Sequence, residues 1–397
     1  MKFYVKVTIT SVLLSLVAGC GGAEPMTTTI ANEPDSIPEP TAVLITPTVA
    51  SVNLFQLEKS TQQFTTLETF QAGFGDLDDD GDLDAVLANP QNNFSQVWLN
   101  DGNGNLTDTG QQLTKYGHGV GLADFDEDGD LDAFITCHQF VTPSRIYLND
   151  SMGNLSDTKQ DLGDTSISGA GVNLLDLNRD GHVDVHVVYY APNGLPDKVY
   201  LNDGHANFHD SGLILDEETI AWGDLDGDGD VDYFGKRWDK GYVVYLNDGS
   251  GGFSEAWQMD DSQSTLGGIG LADFDGDGDL DSLVLNGFRN TGSFPSRLFL
   301  NDGTGQFTES GQALNKTQSA DITMGDLDLD VFIANMDLPD EVWLNDGSGH
   351  FSDTGLRLAG NNSTQPTLGD LDGDGDLEVF VGSLMNKPQI WINLTND

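Results

Sequence analysis

The segment Asp273-Phe274-Asp275-Gly276-Asp277-Gly278-Asp279-Leu280-Asp281 decides the reading of this chain. Carboxylates stand at its positions one, three, five and nine, and a glycine stands at position six, where a sharp turn needs one. Position seven offers a backbone carbonyl, and position eight is apolar and fit to plug the loop into a core. Oxygen donors converging from so short and flexible a turn suit Ca²⁺, whereas Mg²⁺ demands a stricter octahedron and keeps more water. The segment has no His or Cys donor, which argues against Zn²⁺. An EF-hand would need Glu at position twelve and helices on both sides. The corresponding residues are Leu87 in the first copy of the segment and Gly235 in the fourth, and the flanks read as strands.

The segment recurs seven times, starting at Asp76, Asp124, Asp176, Asp224, Asp273, Asp326 and Asp370. Spacing of 44–53 residues is the mark of a propeller or solenoid. Expected metal donors are Asp76, Asp78, Asp80, Asp82 and Asp84 in the first copy, and Asp124, Asp126, Asp128, Asp130 and Asp132 in the second. The third offers Asp176, Asn178, Asp180, His182 and Asp184; its Asn and the nearby Arg179 predict weaker binding. The fourth offers Asp224, Asp226, Asp228, Asp230 and Asp232, and the fifth Asp273, Asp275, Asp277, Asp279 and Asp281. The seventh offers Asp370, Asp372, Asp374, Asp376 and Glu378, the last one methylene longer. The sixth, Gly325-Asp326-Leu327-Asp328-Leu329-Asp330, has lost four residues and its turn glycine. Six calcium ions are therefore expected, with the sixth repeat metal-free. The seven segments hold 33 of the 65 acidic residues. Their mutual repulsion without metal makes the calcium structural rather than catalytic.

A second signal follows each loop: Val97-Trp98-Leu99-Asn100-Asp101, Ile146-Tyr147-Leu148-Asn149-Asp150, Val199-Tyr200-Leu201-Asn202-Asp203 and so on, ending with Ile390-Trp391-Ile392-Asn393. Each repeat parses into four strands. A Gly-rich apolar strand such as Gly119–Ala123 leads into the loop, and a buried strand such as Leu280–Leu285 leaves it. The Tyr/Trp-Leu-Asn strand is third. After a turn such as Asn345–Gly349, a polar alternating strand such as Phe351–Thr354 comes last. The expected fold class is all-β: a seven-bladed β-propeller of four-stranded blades over residues 52–397. The seventh repeat stops after its third strand. Val52–Leu57 is expected to supply the missing one and close the last blade with an N-terminal strand, removing an open edge.

The composition narrows the function. Among 397 residues the formal net charge is −49, which excludes binding to a nucleic-acid backbone. It also leaves a lipid anchor as the only route to a membrane. Lys2 and Lys6 precede an apolar run from Val7 to Ala18, too short to span a bilayer. The run ends Leu16-Val17-Ala18-Gly19-Cys20, which resembles the lipobox of bacterial lipoproteins. That resemblance implies that residues 1–20 are a lipoprotein signal segment, cut before Cys20 so that the mature chain begins at a lipidated Cys20. It also implies, with Gly21 rather than Asp, an outer-membrane or surface location in the bacterial envelope. Residues 21–51 are rich in Thr and Pro and read as an extended tether.

The Asp-x-Asp-x-Asp-Gly-x-x-Asp loops after Phe-Gly-Asp or Ala-Asp-Phe resemble FG-GAP/VCBS repeats, the repeat of the integrin α-subunit propeller and of many bacterial surface proteins. The resemblance implies calcium between the first and second strands and ligand binding on the opposite face. No Arg-Gly-Asp or inserted domain is present, so integrin ligand chemistry does not carry over. On the opposite face, connections between the second and third strands carry most of the scarce positive charge, with aromatic residues among it. Arg145, Tyr190, Lys236, Arg237, Trp238, Phe288 and Arg289 are the candidate ligand face. The competing reading is that strands and acidic loops exclude Lys and Arg, leaving the connections as their default place.

No Walker A loop, Gly-x-Ser-x-Gly elbow or His-Glu-x-x-His motif occurs. His118 and His138 fall in neighbouring connections, and Cys137 reads as a structural thiol. The leading expectation is a non-enzymatic, calcium-stabilised, monomeric propeller displayed for adhesion or ligand binding. Its partner would be an acidic polysaccharide or an envelope or surface protein. A carbohydrate-active enzyme of lyase type and a scaffold subunit of an envelope complex are the alternatives.

Overall fold

The computed structural model describes residues 56–394 apart from 66–67, 92, 139–141, 163–167, 191–195, 216, 238–239, 262–266, 288–294, 315–318, 326–329, 337 and 359–361. Seven antiparallel four-stranded sheets form a ring of blades, and among the described residues there is no helix. The fourth blade is typical, with strands Thr219–Gly223, Asp232–Arg237, Gly241–Asn247 and Phe253–Asp260 ordered from the ring axis outward. Second strands such as Asp132–Cys137 and Asp281–Val284 are buried throughout, because a neighbouring blade covers each face. Outer strands such as Phe351–Leu358 are exposed or half-buried between their buried ends, since one face meets water.

The core lies between blades rather than within one. Phe125 and Phe134 of the second blade pack with Leu174, Val185 and Val187 of the third. Phe74 and Trp98 of the first blade pack with Phe380 and Ile390 of the seventh. Of the aromatics at the shared third-strand position, Trp98, Tyr147, Tyr200 and Phe299 are buried there, and Tyr245, Trp343 and Trp391 are half-buried. The glycine that precedes the acidic loop is explained by the same packing. A Cβ on Gly75 would lie 2.5 Å from Leu131 of the next blade, and one on Gly325 would lie 2.8 Å from Leu377. Apolar position eight thus leans across the seam and is only half-buried. The deeper plug is position two, represented by Leu77, Phe125, Leu225 and Phe274.

The ring closes on an N-terminal strand, displaced from the expected Val52–Leu57. Leu57–Lys59 pairs with Gln389–Asn393, in the register Leu57↔Asn393 and Lys59↔Trp391. The stretch from 52 to 55 lies outside the described residues. The apolar alternation from Val52 drew the expectation too early. Outermost strands face water on one side, so the polar Glu58 and Lys59 suit the place better. Phe64 then rivets the closure, its ring edge-on to Trp98 of the first blade at 5.2 Å and to Phe380 of the seventh at 5.8 Å.

Truncating that rivet makes a test. Phe64→Ala is expected to destabilise the protein by about 3–5 kcal/mol, the cost of emptying a packed aromatic site, measured by denaturant unfolding at fixed calcium.

Candidate metal centre

Each acidic loop is held by its own carboxylates before any ion is considered. Asp76 at position one accepts from the N–H groups of Asp80 at 3.1 Å and Gly81 at 3.0 Å, which folds the turn back on itself. Gly81 has φ +96° and Gly278 φ +101°, a region that favours glycine, so position six carries the expected residue for the expected reason.

The carboxylate at position nine is the deepest. Asp84, Asp132, Asp184, Asp232, Asp281 and Glu378 are buried at the start of the second strands. Asp84 accepts one hydrogen bond from Leu77 N at 2.9 Å, inside its own loop, and another from Asn100 N at 2.8 Å, on the third strand. The same pair of bonds recurs at Asp132, Asp184, Asp232 and Asp281. Burial pushes Asp84 and Asp184 up to about 6, and Asp132, Asp232, Asp281 and Glu378 up to about 7; the backbone donors oppose this and neighbouring loop carboxylates add to it.

The third-strand asparagine extends the loop across the seam. Asn149 donates from Nδ2 to Leu77 O of the preceding blade at 2.8 Å. Asn202 does so to Phe125 O at 2.9 Å, Asn301 to Leu225 O at 2.8 Å, and Asn345 to Phe274 O at 3.0 Å. Asn100 reaches Leu371 O of the seventh blade at 2.7 Å and continues the chain of staples through the closure. The Leu-Asn-Asp recurrence marks a strand in the sequence. Its asparagine as an inter-blade staple was missed there, although an asparagine stands 15–20 residues after position nine in every repeat.

Among the described residues five acidic groups could hold a cation, each with three oxygens mutually within 4.8 Å: Asp76/Asp78/Asp84, Asp124/Asp126/Asp132, Asp224/Asp226/Asp232, Asp273/Asp275/Asp281 and Asp370/Asp372/Asp374. One buried oxygen in each of Asp78, Asp126 and Asp372 has no hydrogen-bond donor. Carboxylate oxygens of this kind fit a divalent cation. The seventh group gathers around Asp374 rather than Glu378.

Among the described residues the third loop forms no such group. Asn178 there donates to Asp180 at 3.0 Å, Arg179 pairs with Asp230 of the fourth blade at 2.6 Å, and the His182 ring lies on Glu127 of the second blade at 2.5 Å. The hydrogen bond to Glu127 raises the pKa of His182. In this loop an arginine, a histidine and an amide replace part of the acid set. The shortened sixth loop, 326–329, lies outside the described residues; its Asp330 still accepts from Asn345 N at 2.9 Å.

The candidate ligand face is corrected at its centre. Lys236 is fully buried in the second strand of the fourth blade and donates to Leu285 O of the fifth at 2.7 Å. Burial, with the nearby Arg297 charge, brings it down to about 7. A sequence rule that places Lys in connections fails here because the strand runs longer than its apolar stretch. Arg237 is half-buried and pairs with the buried Glu217 at 2.6 Å, and Arg145 pairs with Asp161 at 2.5 Å. Arg297 pairs with Asp261 at 2.9 Å, and Lys198 with Asp210. Trp238, Phe288 and Arg289, and the side chain of Tyr190, lie outside the described residues. His118 and His138 do meet, their rings stacked at 5.2 Å. Burial brings His118 down to about 3, aided by its neighbour. Cys137 is a buried free thiol beside Thr114 and is raised by burial.

The elevated position-nine carboxyls set the pH response of the metal-free protein. A folded pKa above the unfolded value near 4 means that stability is full below about pH 4 and is lost as pH rises through 6–7. In chelator, the melting temperature is expected to fall between pH 5 and pH 8. For the staple, Asn202→Ala leaves the Phe125 carbonyl one donor short and is expected to cost about 1–3 kcal/mol, read from denaturant unfolding.

FG-GAP-like repeat sequences match residues 76–135, 124–187, 176–235, 224–284 and 323–381, more than half of the chain. No curated protein matches it in sequence. Among solved structures it is similar to the BP39L lectin from Burkholderia pseudomallei, with TM-score 0.58 and 10% identity over 84% of this chain and 98% of that one. It is also similar to BBS1N, solved in complex with ARL6DN, with TM-score 0.57 and 10% identity over 85% and 97%. At this identity the two likenesses concern the fold, whereas the repeat match and the seven-bladed ring together establish the family. The chain belongs to the FG-GAP-like repeat family, as a seven-bladed β-propeller.

Proposed function

We propose that the protein is a calcium-stabilised, non-enzymatic propeller that presents a binding surface outside the cell, for adhesion or ligand capture. One observation carries the reading: the acid triads repeat around the ring and are built into the seams between blades, not gathered at one pocket. Identical sites in series serve a scaffold better than a single reaction centre. Calcium suits donors that are all oxygen and that come from one short turn. Asp76, Asp78 and Asp84, with their counterparts in the other four groups, would hold the ions and have their repulsion neutralised. Binding is also the activity named for both fold relatives, one a lectin and the other solved with a partner protein. The lipobox-like Leu16–Cys20 supports a lipid anchor in a bacterial envelope, with residues 21–51 as tether; both lie outside the described residues.

Five ions fit this reading better than six, with the third loop filled only at high calcium. Adding calcium to chelator-treated protein at pH 7.5 is expected to raise the melting temperature by about 10 °C or more, since several sites each add linkage energy. An unchanged melting temperature would remove calcium from the account. Turnover of a polysaccharide would move the protein to the enzyme class, and a stoichiometric envelope partner at purification would make it a scaffold subunit.

A further inference from the structure

Every first strand runs toward its acidic loop, so the connection between second and third strands lies on the opposite face. On that face, at the closure between the seventh and first blades, a cleft of about 340 Å³ is lined by Lys59, Ser60, Gln63, Asn386, Lys387 and Gln389 among others. Its size falls at the low end for small-ligand sites. Two lysines meet here in a chain of net charge −49. Four basic side chains on this face are neutralised by carboxylates: Arg145 by Asp161, Lys198 by Asp210, Arg237 by Glu217 and Arg297 by Asp261. Neither Lys59 nor Lys387 forms an ion pair among the described residues, and Lys387 spends one of its three donors on Phe64 O at 2.7 Å. The rest of the lining is amide and hydroxyl, groups that both donate and accept.

We propose that this cleft binds a carboxylate-bearing sugar unit of an acidic polysaccharide. Lys59 and Lys387 would pair with the carboxylate, and Asn386, Gln63, Gln389 and Ser60 would read the hydroxyls. The cleft opens at the rim, so a polymer can pass through it without threading. It also faces away from the point of chain entry. Leu57–Lys59 runs antiparallel to Gln389–Asn393, which places Gln56 at the metal-loop rim, where its carbonyl accepts from Leu394 N at 2.9 Å. The proposal rests on the binding reading above and specifies its ligand and site.

The test is affinity electrophoresis of the calcium-loaded full-length chain in detergent, through gels containing polygalacturonate or neutral galactan. Wild type is expected to be retarded by polygalacturonate. Lys59→Glu and Lys387→Glu are each expected to weaken retardation at least about tenfold, while Lys240→Glu, the same charge change on the fourth blade, leaves it intact. Lys59→Glu touches no internal hydrogen bond of Lys387, so loss in that variant reports the cleft and not the Phe64 contact. Equal retardation of all three variants and wild type overturns the cleft while the binding reading stands. Retardation by galactan alone does the same. No retardation by either polymer overturns the cleft as a saccharide site, while the binding reading, which names no ligand class, stands.

Discussion

A buried carboxylate at the end of each acidic loop is the constraint on which this propeller depends. Asp84 and its counterparts are taken out of water, which disfavours their charge, and each is held by a loop N–H and a third-strand N–H. The loop, the second strand and the third strand therefore share one anchor. The asparagine that supplies the third-strand N–H also reaches the loop of the preceding blade, as Asn149 does at Leu77 O. Blade geometry and blade-to-blade attachment thus meet at the atoms that would surround a cation.

This arrangement explains why the charge of the chain is compatible with its fold. Acids crowd the loops, yet the position-one carboxylate is occupied by turn N–H groups and the position-nine carboxylate by one loop N–H and one strand N–H. What is left over is an oxygen such as that of Asp126, buried and without a donor. A cation there would neutralise repulsion and complete the coordination of groups that the backbone alone cannot satisfy. The third loop reaches a similar end by another route, with Arg179 and His182 set against acids of the two flanking loops.

Much of this was legible in the sequence because the repeat is written in residues with one physical use each. Glycine at position six gave the turn, the period gave the blades, and the truncated seventh repeat gave the closure, though the closing strand begins at Leu57. The ligand face was legible only as composition. Lys236 stands beside Arg237 in the sequence, yet one is sealed between blades and the other is paired with Glu217. Some partners that neutralise a basic residue, such as Asp161 for Arg145 and Asp261 for Arg297, sit in connections between blades, outside the strand pattern. The cleft at the closure was invisible for the same reason, since Lys59 and Lys387 stand at opposite ends of the propeller sequence and meet only when the ring shuts.

Native mass spectrometry of the folded chain across a calcium titration tests the central claim most directly. If the acid triads are metal sites built into the seams, the chain takes up five calcium ions before the third loop fills. A folded chain that takes up none, or only one, would contradict it.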